Sequence, residues 1–411
     1  MLFGRLLQRL VRIGELTVVD ADGRAHVFAG SQPGPTIKIR LHDRKLHTRL
    51  FIDPMLGVPE AYVDGSLTIE DGKSCYDFME YAAINLGCGG PSHWVQRVLS
   101  GARWLGRKVA QYNPAQRSRR NVAHHYDLSG ELYELFLDAD RQYSCAYFGS
   151  PDDSLEMAQA RKKRHIAAKL LLQPGQKVLD IGSGWGGLGL YLAERSRVDV
   201  TGVTLSEEQH KLSNERAVNA GLNDRVRFEM RDYRAVDGRF DRIVSVGMFE
   251  HVGIGHYREF FDKVRKLLKE DGVALLHTIG RADGPGFTNP WIDKYIFPGG
   301  YTPALSEVMP AIEKAGLYVT DVEVLRLHYA ETLRHWRQRF LANVERARAL
   351  YDDRFCRMWE LYLAASETAF RYTGQVVFQI QLARRQDAVP LIRDYITAHE
   401  NDRSNSLAAA E

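Results

Sequence analysis

From about residue 177 onward, short apolar runs alternate with longer stretches whose apolar positions recur every three to four residues. Strands alternating with helices produce that pattern. KVLDIG reads as a buried strand, followed by a helix from about Gly187 to Arg195. VDVTGV (198–203) is the next strand. SEEQHKLSNERAVNAG is the next helix, with Ser206 as N-cap and Gly221 past its end. RVRFEM, FDRIVSV and GVALLHTI supply three more strands, with YREFFDKVRKLLK as the helix between the last two. LYVTDVEVLRL (317–327) reads as a sixth strand and VVFQIQLARR (376–385) as a late seventh, after a helical insertion over 331–371. This order predicts an α/β fold built on a doubly wound, mostly parallel sheet.

The first hundred residues follow a different rhythm. LTVVDADGRAHVF reads as a hairpin around an Asp-Gly turn, TIKIRL (36–41) as a half-buried strand, and 74–86 as a helix. A small α+β domain is therefore expected over 1–105, and the catalytic domain over 106–395. The junction, ARWLGRKVAQYNPAQRSRR (102–120), contains six basic residues, no acidic one and a helix-breaking Asn-Pro. It is either a solvated linker or a phosphate-facing surface. The opening stretch, MLFGRLLQRLVRIG, sets Arg5, Arg9 and Arg12 against Leu2, Phe3, Leu6, Leu7 and Leu10. Arginines interrupting the apolar residues argue against a signal peptide. A basic amphipathic helix of this kind either lies on an anionic membrane or packs on its own domain.

Composition narrows the class. The chain has 411 residues, 45% hydrophobic and 26% charged, with a net charge of +3. That charge is too mild to imply nucleic acid, and no N/D-P-P-Y-type motif accompanies it. Cys75, Cys88, Cys145 and Cys356 are scattered, so neither a disulfide framework nor a structural metal is expected, and a reducing cytoplasm is. His124 and His125 lack a third ligand at a useful spacing. No apolar run approaches the roughly 18 residues that cross a bilayer.

The stretch VLDIGSGWGG (178–187) holds the first chemistry. Gly182, Gly184 and Gly187 satisfy G-x-G-x-x-G, and Gly186 lies among them. A dinucleotide loop also needs a carboxylate at the end of the second strand to bind ribose. Thr204, Leu205 and Ser206 stand there instead. Asp180, just ahead of the glycines, suits a positively charged ligand. S-adenosylmethionine (SAM), with its ammonium and sulfonium groups, fits better than NAD.

YSCAYF (143–148), VLDIGSGWGG, VTLSEEQ (203–209), SVGMFEHVG (245–253), LLHTIG (275–280) and HYAETL (328–333) follow one another in order. With these motifs the chain resembles the cyclopropane-fatty-acid synthase family, which includes mycolic acid cyclopropane synthases and related lipid C-methyltransferases. The likeness covers about 110–390, with HHYDLSGELYELFLD (124–138) inside it and GVPEAYVDGSL (57–67) similar to the family's N-terminal domain. It implies a seven-stranded SAM-dependent methyltransferase fold. It further implies that Tyr143, Ser144, Gly182 to Gly187, Thr204, Leu205 and Gln209 contact SAM, and that Asp232 and Tyr233 lie against the adenine. Bicarbonate is implied as a second bound group, with Cys145, Glu250, His277, Ile279 and Tyr329 as its ligands. One departure is LAASETAF (363–370), where Ser366 stands in place of the cysteine many members carry.

The resemblance implies an enzyme acting on unsaturated acyl chains of membrane phospholipids, cytoplasmic and peripherally bound to anionic lipid, with the N-terminal domain serving membrane contact or homodimerisation. Addition of a methyl or methylene branch, and a silent lipid-binding protein, are the rival readings. Each residue singled out also has an ordinary alternative. Cys145 and His277 would by default be core, Glu250 a helix cap, and Tyr329 a strand-end tyrosine. Phe340, Trp359, Tyr362 and Phe370 line an acyl tunnel by analogy, but stripes of this kind more often form core.

Overall fold

The computed structural model describes residues 2–87, 94–111 and 129–402. His124, His125, Cys88 and the basic run from 112 to 120 lie outside them. The chain divides into two compact units. The first comprises Met1–Arg107, Phe287–Pro298 and Leu333–Gln375, and the second Lys108–Gly286, Gly299–Thr332 and Val376–Glu411.

In the first unit a four-stranded sheet runs in the order β2-β1-β3-β4, with β1 Ile13–Val19, β2 Ala25–Ala29, β3 Gln32–Leu41 and β4 Leu67–Ile69. The expected hairpin is the antiparallel β1–β2 pair. Its turn is tied by Asp20 Oδ1, which accepts from the Asp22 and Arg24 amides at 3.0 Å. The helix Leu2–Leu10 buries Phe3, Leu6 and Leu7 in the same core as Leu16, Val18, Ile37 and Ile39. Its apolar face is thus spent on its own unit, while Arg5 and Arg9, with Arg12 just beyond, face solvent.

The helical stretch expected as a catalytic-domain insertion forms helices His328–Ala342, Val344–Leu350 and Asp353–Tyr372. From Leu333 onward it belongs instead to the first unit. Apolar periodicity gives the buried face of a helix, not what that face meets. Here Asp353–Tyr372 packs on the helix Cys75–Leu86. Phe340, Trp359, Tyr362 and Phe370 are all buried, with the Trp359 and Tyr362 rings edge to face at 5.2 Å. Glu367 is fully buried and held by Arg337 at 2.9 Å and Arg371 at 3.2 Å. Ser366, half-buried, lies on the same helix.

The second unit carries a seven-stranded sheet in the order β10-β11-β9-β8-β5-β6-β7. Its strands are β5 Lys177–Ile181, β6 Asp199–Thr204, β7 Val226–Met230, β8 Phe240–Val246, β9 Leu268–Arg281, β10 Tyr318–Leu325 and β11 Gln375–Ala383. Strands β5 to β9 pair in parallel, while β10 and β11 pair antiparallel. The chain order reverses at β5, with β6 and β7 to one side and β8 and β9 to the other. In an open sheet that reversal opens a crevice at the strands' C-terminal ends.

Candidate active site

The loop after β5 is shaped by backbone bonds and absent side chains. Gly182 and Ser183 both donate their amides to the Val203 carbonyl, at 2.9 and 3.0 Å, fastening the loop to β6. Gly182 has φ +83°, and a Cβ there would come within 2.8 Å of Met248 Cβ. Gly186, also at φ +83°, precedes the helix Gly187–Ser196, and a side chain on it would strike Phe228 and Ser213. Only glycine meets both demands.

A cavity opens over this loop. Its wall includes Tyr143, Ser144, Asp180, Gly182, Gly184, Gly187, Thr204, Leu205, Gln209, Asp232 and Tyr233. Of the residues expected at SAM, Gly186 alone is not on that wall. Thr204 donates its hydroxyl to Gln209 Oε1 at 2.8 Å and accepts from the Ser206 amide at 3.2 Å. A hydroxyl network therefore occupies the place where a dinucleotide fold keeps its ribose carboxylate. Asp232 is held by Arg234, whose Nη2 donates to Oδ2 at 2.7 Å. Tyr233 sits edge-on to Phe260.

Asp180 is buried, and its Oδ2 has no hydrogen-bond partner among the described residues. Burial pushes its carboxyl up to about 7, partly offset by the positive charge of Lys162. Ser183 Oγ is likewise buried without a described partner. These orphaned polar atoms fit a polar ligand in the cavity, since unpaired buried polar groups are costly.

The helix that brings Lys162 to the cavity wall was not expected from the sequence. Leu155–Leu170 presents Gln159 and Lys162, one turn apart. Gln159 Nε2 donates to the carbonyls of Gln142 and Ser144 at 3.1 and 3.0 Å. Lys162 Nζ donates to Gln142 Oε1 at 2.7 Å and Ser144 Oγ at 2.8 Å. Together they fix the strap Gln142–Ser144 across the cavity. In the sequence, Lys162 is one of a run of basic residues, RKKR, with nothing to set it apart. Met248 and His251, also on the wall, lie inside the SVGMFEHVG motif, where only Glu250 is expected to have a role.

Of the second expected set, Glu250 lies just after β8, and His277 and Ile279 lie near the end of β9. The Ile279 amide donates to Glu250 Oε1 at 2.6 Å. Glu250 Oε2 is buried with no hydrogen-bond partner among the described residues. Burial raises the carboxyl to about 7. His277, two residues before Ile279 on β9, is buried and lies 3.2 Å from the Gln379 amide through Nδ1. Burial lowers it to about 3, so the ring is neutral.

Cys145 and Tyr329 sit on two other elements that are pinned together. The Ala146 amide donates to Thr332 Oγ1 and the Phe148 amide to His328 Nδ1, both at 3.0 Å. Cys145 and Tyr329 are both buried, and desolvation pushes the Cys145 thiol well above the usual range. These residues are a carboxyl raised to about 7, a neutral imidazole, a thiol and a phenol, each of them buried.

Residues 113–380 match the family described as mycolic acid cyclopropane synthetase. A probable fatty acid methyltransferase from Pseudomonas putida is 44% identical over 257 residues, 61% of this chain and 65% of that one. The match thus spans just under two thirds of that relative's length. A cyclopropane-fatty-acyl-phospholipid synthase from Escherichia coli strain K12 is 38% identical over 355 residues, 86% of this chain and 89% of that one. Among solved structures, mycolic acid cyclopropane synthase CmaA1 complexed with SAH and CTAB is 35% identical with a TM-score of 0.62, covering 66% of this chain and 99% of that one.

Proposed function

The chain belongs to the mycolic acid cyclopropane synthetase family, and from that premise we propose that it moves the methyl group of SAM onto the double bond of an unsaturated phospholipid acyl chain and closes a cyclopropane ring. The seven-stranded sheet is that of SAM-dependent methyltransferases, and the chain is a SAM-dependent C-methyltransferase of the cyclopropane synthase type. Ring closure and the phospholipid substrate are the proposed part. The observation that carries ring closure is Glu250, buried with one oxygen fixed by the Ile279 amide and the other without a partner among the described residues, while the similarity to a cyclopropane-fatty-acyl-phospholipid synthase supports the substrate.

An alkene is a poor nucleophile, so alignment with the methyl donor and exclusion of water supply much of the early barrier reduction. Transfer leaves positive charge on a former alkene carbon. The ring forms when a proton leaves the added methyl and the C–H electrons close the new C–C bond. Bicarbonate, when bound, supplies a base for that proton. Cys145, Glu250, His277, Ile279 and Tyr329 are the residues that would hold it. The fit is physical: an ionised Glu250 would repel an anion, whereas a protonated one donates a hydrogen bond to it. Neutral His277 adds no charge that would quench the base.

A second reading ends in a methyl or methylene branch without ring closure. The similarity to a probable fatty acid methyltransferase favours it. A silent lipid-binding protein is disfavoured by the uncommitted Asp180 carboxylate, which costs stability unless it serves a ligand. We include docking on an anionic membrane surface from the cytoplasmic side, through the exposed Arg5, Arg9 and Arg12. Among the described residues no helix is long and apolar enough to cross a membrane. A homodimer through the first unit is part of the same proposal, and nucleic acid is not.

The test supplies the protein with methyl-labelled SAM and vesicles of either unsaturated or fully saturated phospholipid. Label confined to unsaturated lipid supports the proposal. Label in both lipids, or in neither, contradicts it.

A further inference from the structure

Lys162 is fully buried, on a helix that faces the cavity, and a buried ammonium ordinarily has a carboxylate beside it. Here its described hydrogen-bond partners are the neutral Gln142 Oε1 and Ser144 Oγ. The carboxylates nearby are committed elsewhere. Asp140 is engaged by Lys163 and Arg216. Asp138 accepts from the Gln142 amide at 2.8 Å and the Asp140 amide at 3.2 Å. Asp180, on the same cavity wall, is close enough to feel the charge of Lys162 yet has no hydrogen bond to it. Asp138 and Asp140 act on Lys162 through charge but do not bond it, so among the described residues the cavity holds an ammonium hydrogen-bonded by no carboxylate and a buried carboxyl oxygen, Asp180 Oδ2, with no donor.

That pair is the mirror image of an α-amino acid zwitterion. SAM ends in one, with an ammonium for Asp180 and a carboxylate for the lysine side of the cavity. Among the described residues, Ser144 is the hydroxyl that Lys162 holds, and it lies on the cavity wall itself. A hydroxyl that accepts from an ammonium turns its own hydrogen outward, toward an acceptor. The geometry points to Lys162 as the positioning residue that recognises the α-carboxylate of SAM, acting through the hydroxyl of Ser144. The inference rests on SAM as the occupant of this cavity. It adds a full charge to what the glycine loop offers, which is backbone amides and the partial positive charge of a helix N-terminus.

Decarboxylated SAM, which keeps the sulfonium and the amine but lacks the carboxylate, is the discriminating probe. Calorimetry with the full chain should give SAM an affinity at least about 10-fold tighter than decarboxylated SAM, the range of a charge-assisted hydrogen bond. In Lys162→Met that ratio should collapse to about 2-fold or less, with decarboxylated SAM bound as in the wild type. Ser144→Ala should compress the ratio in the same direction, and it keeps the inference testable if Lys162→Met does not fold. A lysine that merely braces the strap would weaken both ligands equally, and that result overturns the inference. Equal wild-type affinities overturn it without any variant. If the wild type binds neither ligand, the SAM reading of the cavity fails as well, which separates the two failures.

Discussion

The Ile279 amide holds Glu250 Oε1 at 2.6 Å and leaves Glu250 Oε2 buried and uncommitted. A carboxyl raised to about 7 by burial changes protonation where the enzyme would work. Below that value it is a neutral donor and tolerates an adjacent anion. Above it the carboxylate repels one. Dependence of activity on added bicarbonate should therefore steepen between about pH 7 and 8.5 in the wild type. Glu250→Gln, which stays neutral, should show a bicarbonate requirement that does not change over this range. Steady-state rates against bicarbonate at several pH values check this.

Asp180 carries a linked prediction for stability. Its folded-state value near 7 lies above the unfolded value near 4, so the folded protein binds the extra proton. Its contribution favours folding at low pH and is lost as pH rises from about 4 through about 7. Asp180→Asn removes that loss. The variant should gain roughly 3 °C or more in Tm at pH 8 relative to wild type, with a smaller gain at pH 5. SAM affinity should fall at both pH values. Thermal melts of ligand-free protein paired with calorimetry test both halves.

At Gly182 the penalty is steric. Gly182→Ala places a Cβ at φ +83°, within 2.8 Å of Met248 Cβ. Strain of this kind costs on the order of 1–3 kcal/mol. The expected result is a lower Tm together with SAM affinity reduced by about 10-fold or more, read from melts and calorimetry.

The Cys145 thiol is buried and pushed upward by desolvation, so little thiolate is available. Alkylation by iodoacetamide at pH 8 should leave Cys145 unmodified in the native protein over a time in which denatured protein reacts fully. Peptide mass spectrometry reads this directly. Rapid native modification would show that the thiol is more accessible or more acidic than its surroundings dictate.

The N-terminal helix separates packing from membrane attraction. Leu6→Asp should lower Tm, because Leu6 is 1% exposed in the core of the first unit. Replacing Arg5, Arg9 and Arg12 together by Gln should leave Tm within about 1 °C. It should also weaken sedimentation with anionic vesicles by about 10-fold or more at low salt, since each basic residue near such a surface contributes about 1 kcal/mol. Unchanged binding by the triple variant would assign membrane attraction to other residues.

Much of this architecture could be read from the chain. The inner strands β5, β6, β8 and β9 are buried over most of their length, so each reads as a compact apolar run between turn signals, whereas the edge strand β7 alternates. The loop at Gly182 and the cap at Ser206 follow from local backbone chemistry, which sequence carries directly. What could not be read depends on long-range pairing. Gln159 and Lys162 acquire their roles by reaching a strap 15 to 20 residues upstream. The helix Asp353–Tyr372 showed its apolar face in sequence, but not that the face meets Cys75–Leu86. The opening helix showed amphipathicity, which fits a membrane and a protein core equally well. Burial of Phe3, Leu6 and Leu7 against the small sheet takes up the apolar face and leaves Arg5 and Arg9 exposed.

In the proposed reaction a methyl from SAM ends as the bridging carbon of a ring. Carbon NMR of phospholipid recovered after incubation of the protein with unsaturated vesicles and SAM carrying a labelled methyl tests it most directly. The expected result is label in a cyclopropane methylene, with olefinic signals lost in proportion and the acyl chain heavier by one CH2. Label in a methyl or methylene branch, with no cyclopropane signal, would contradict it.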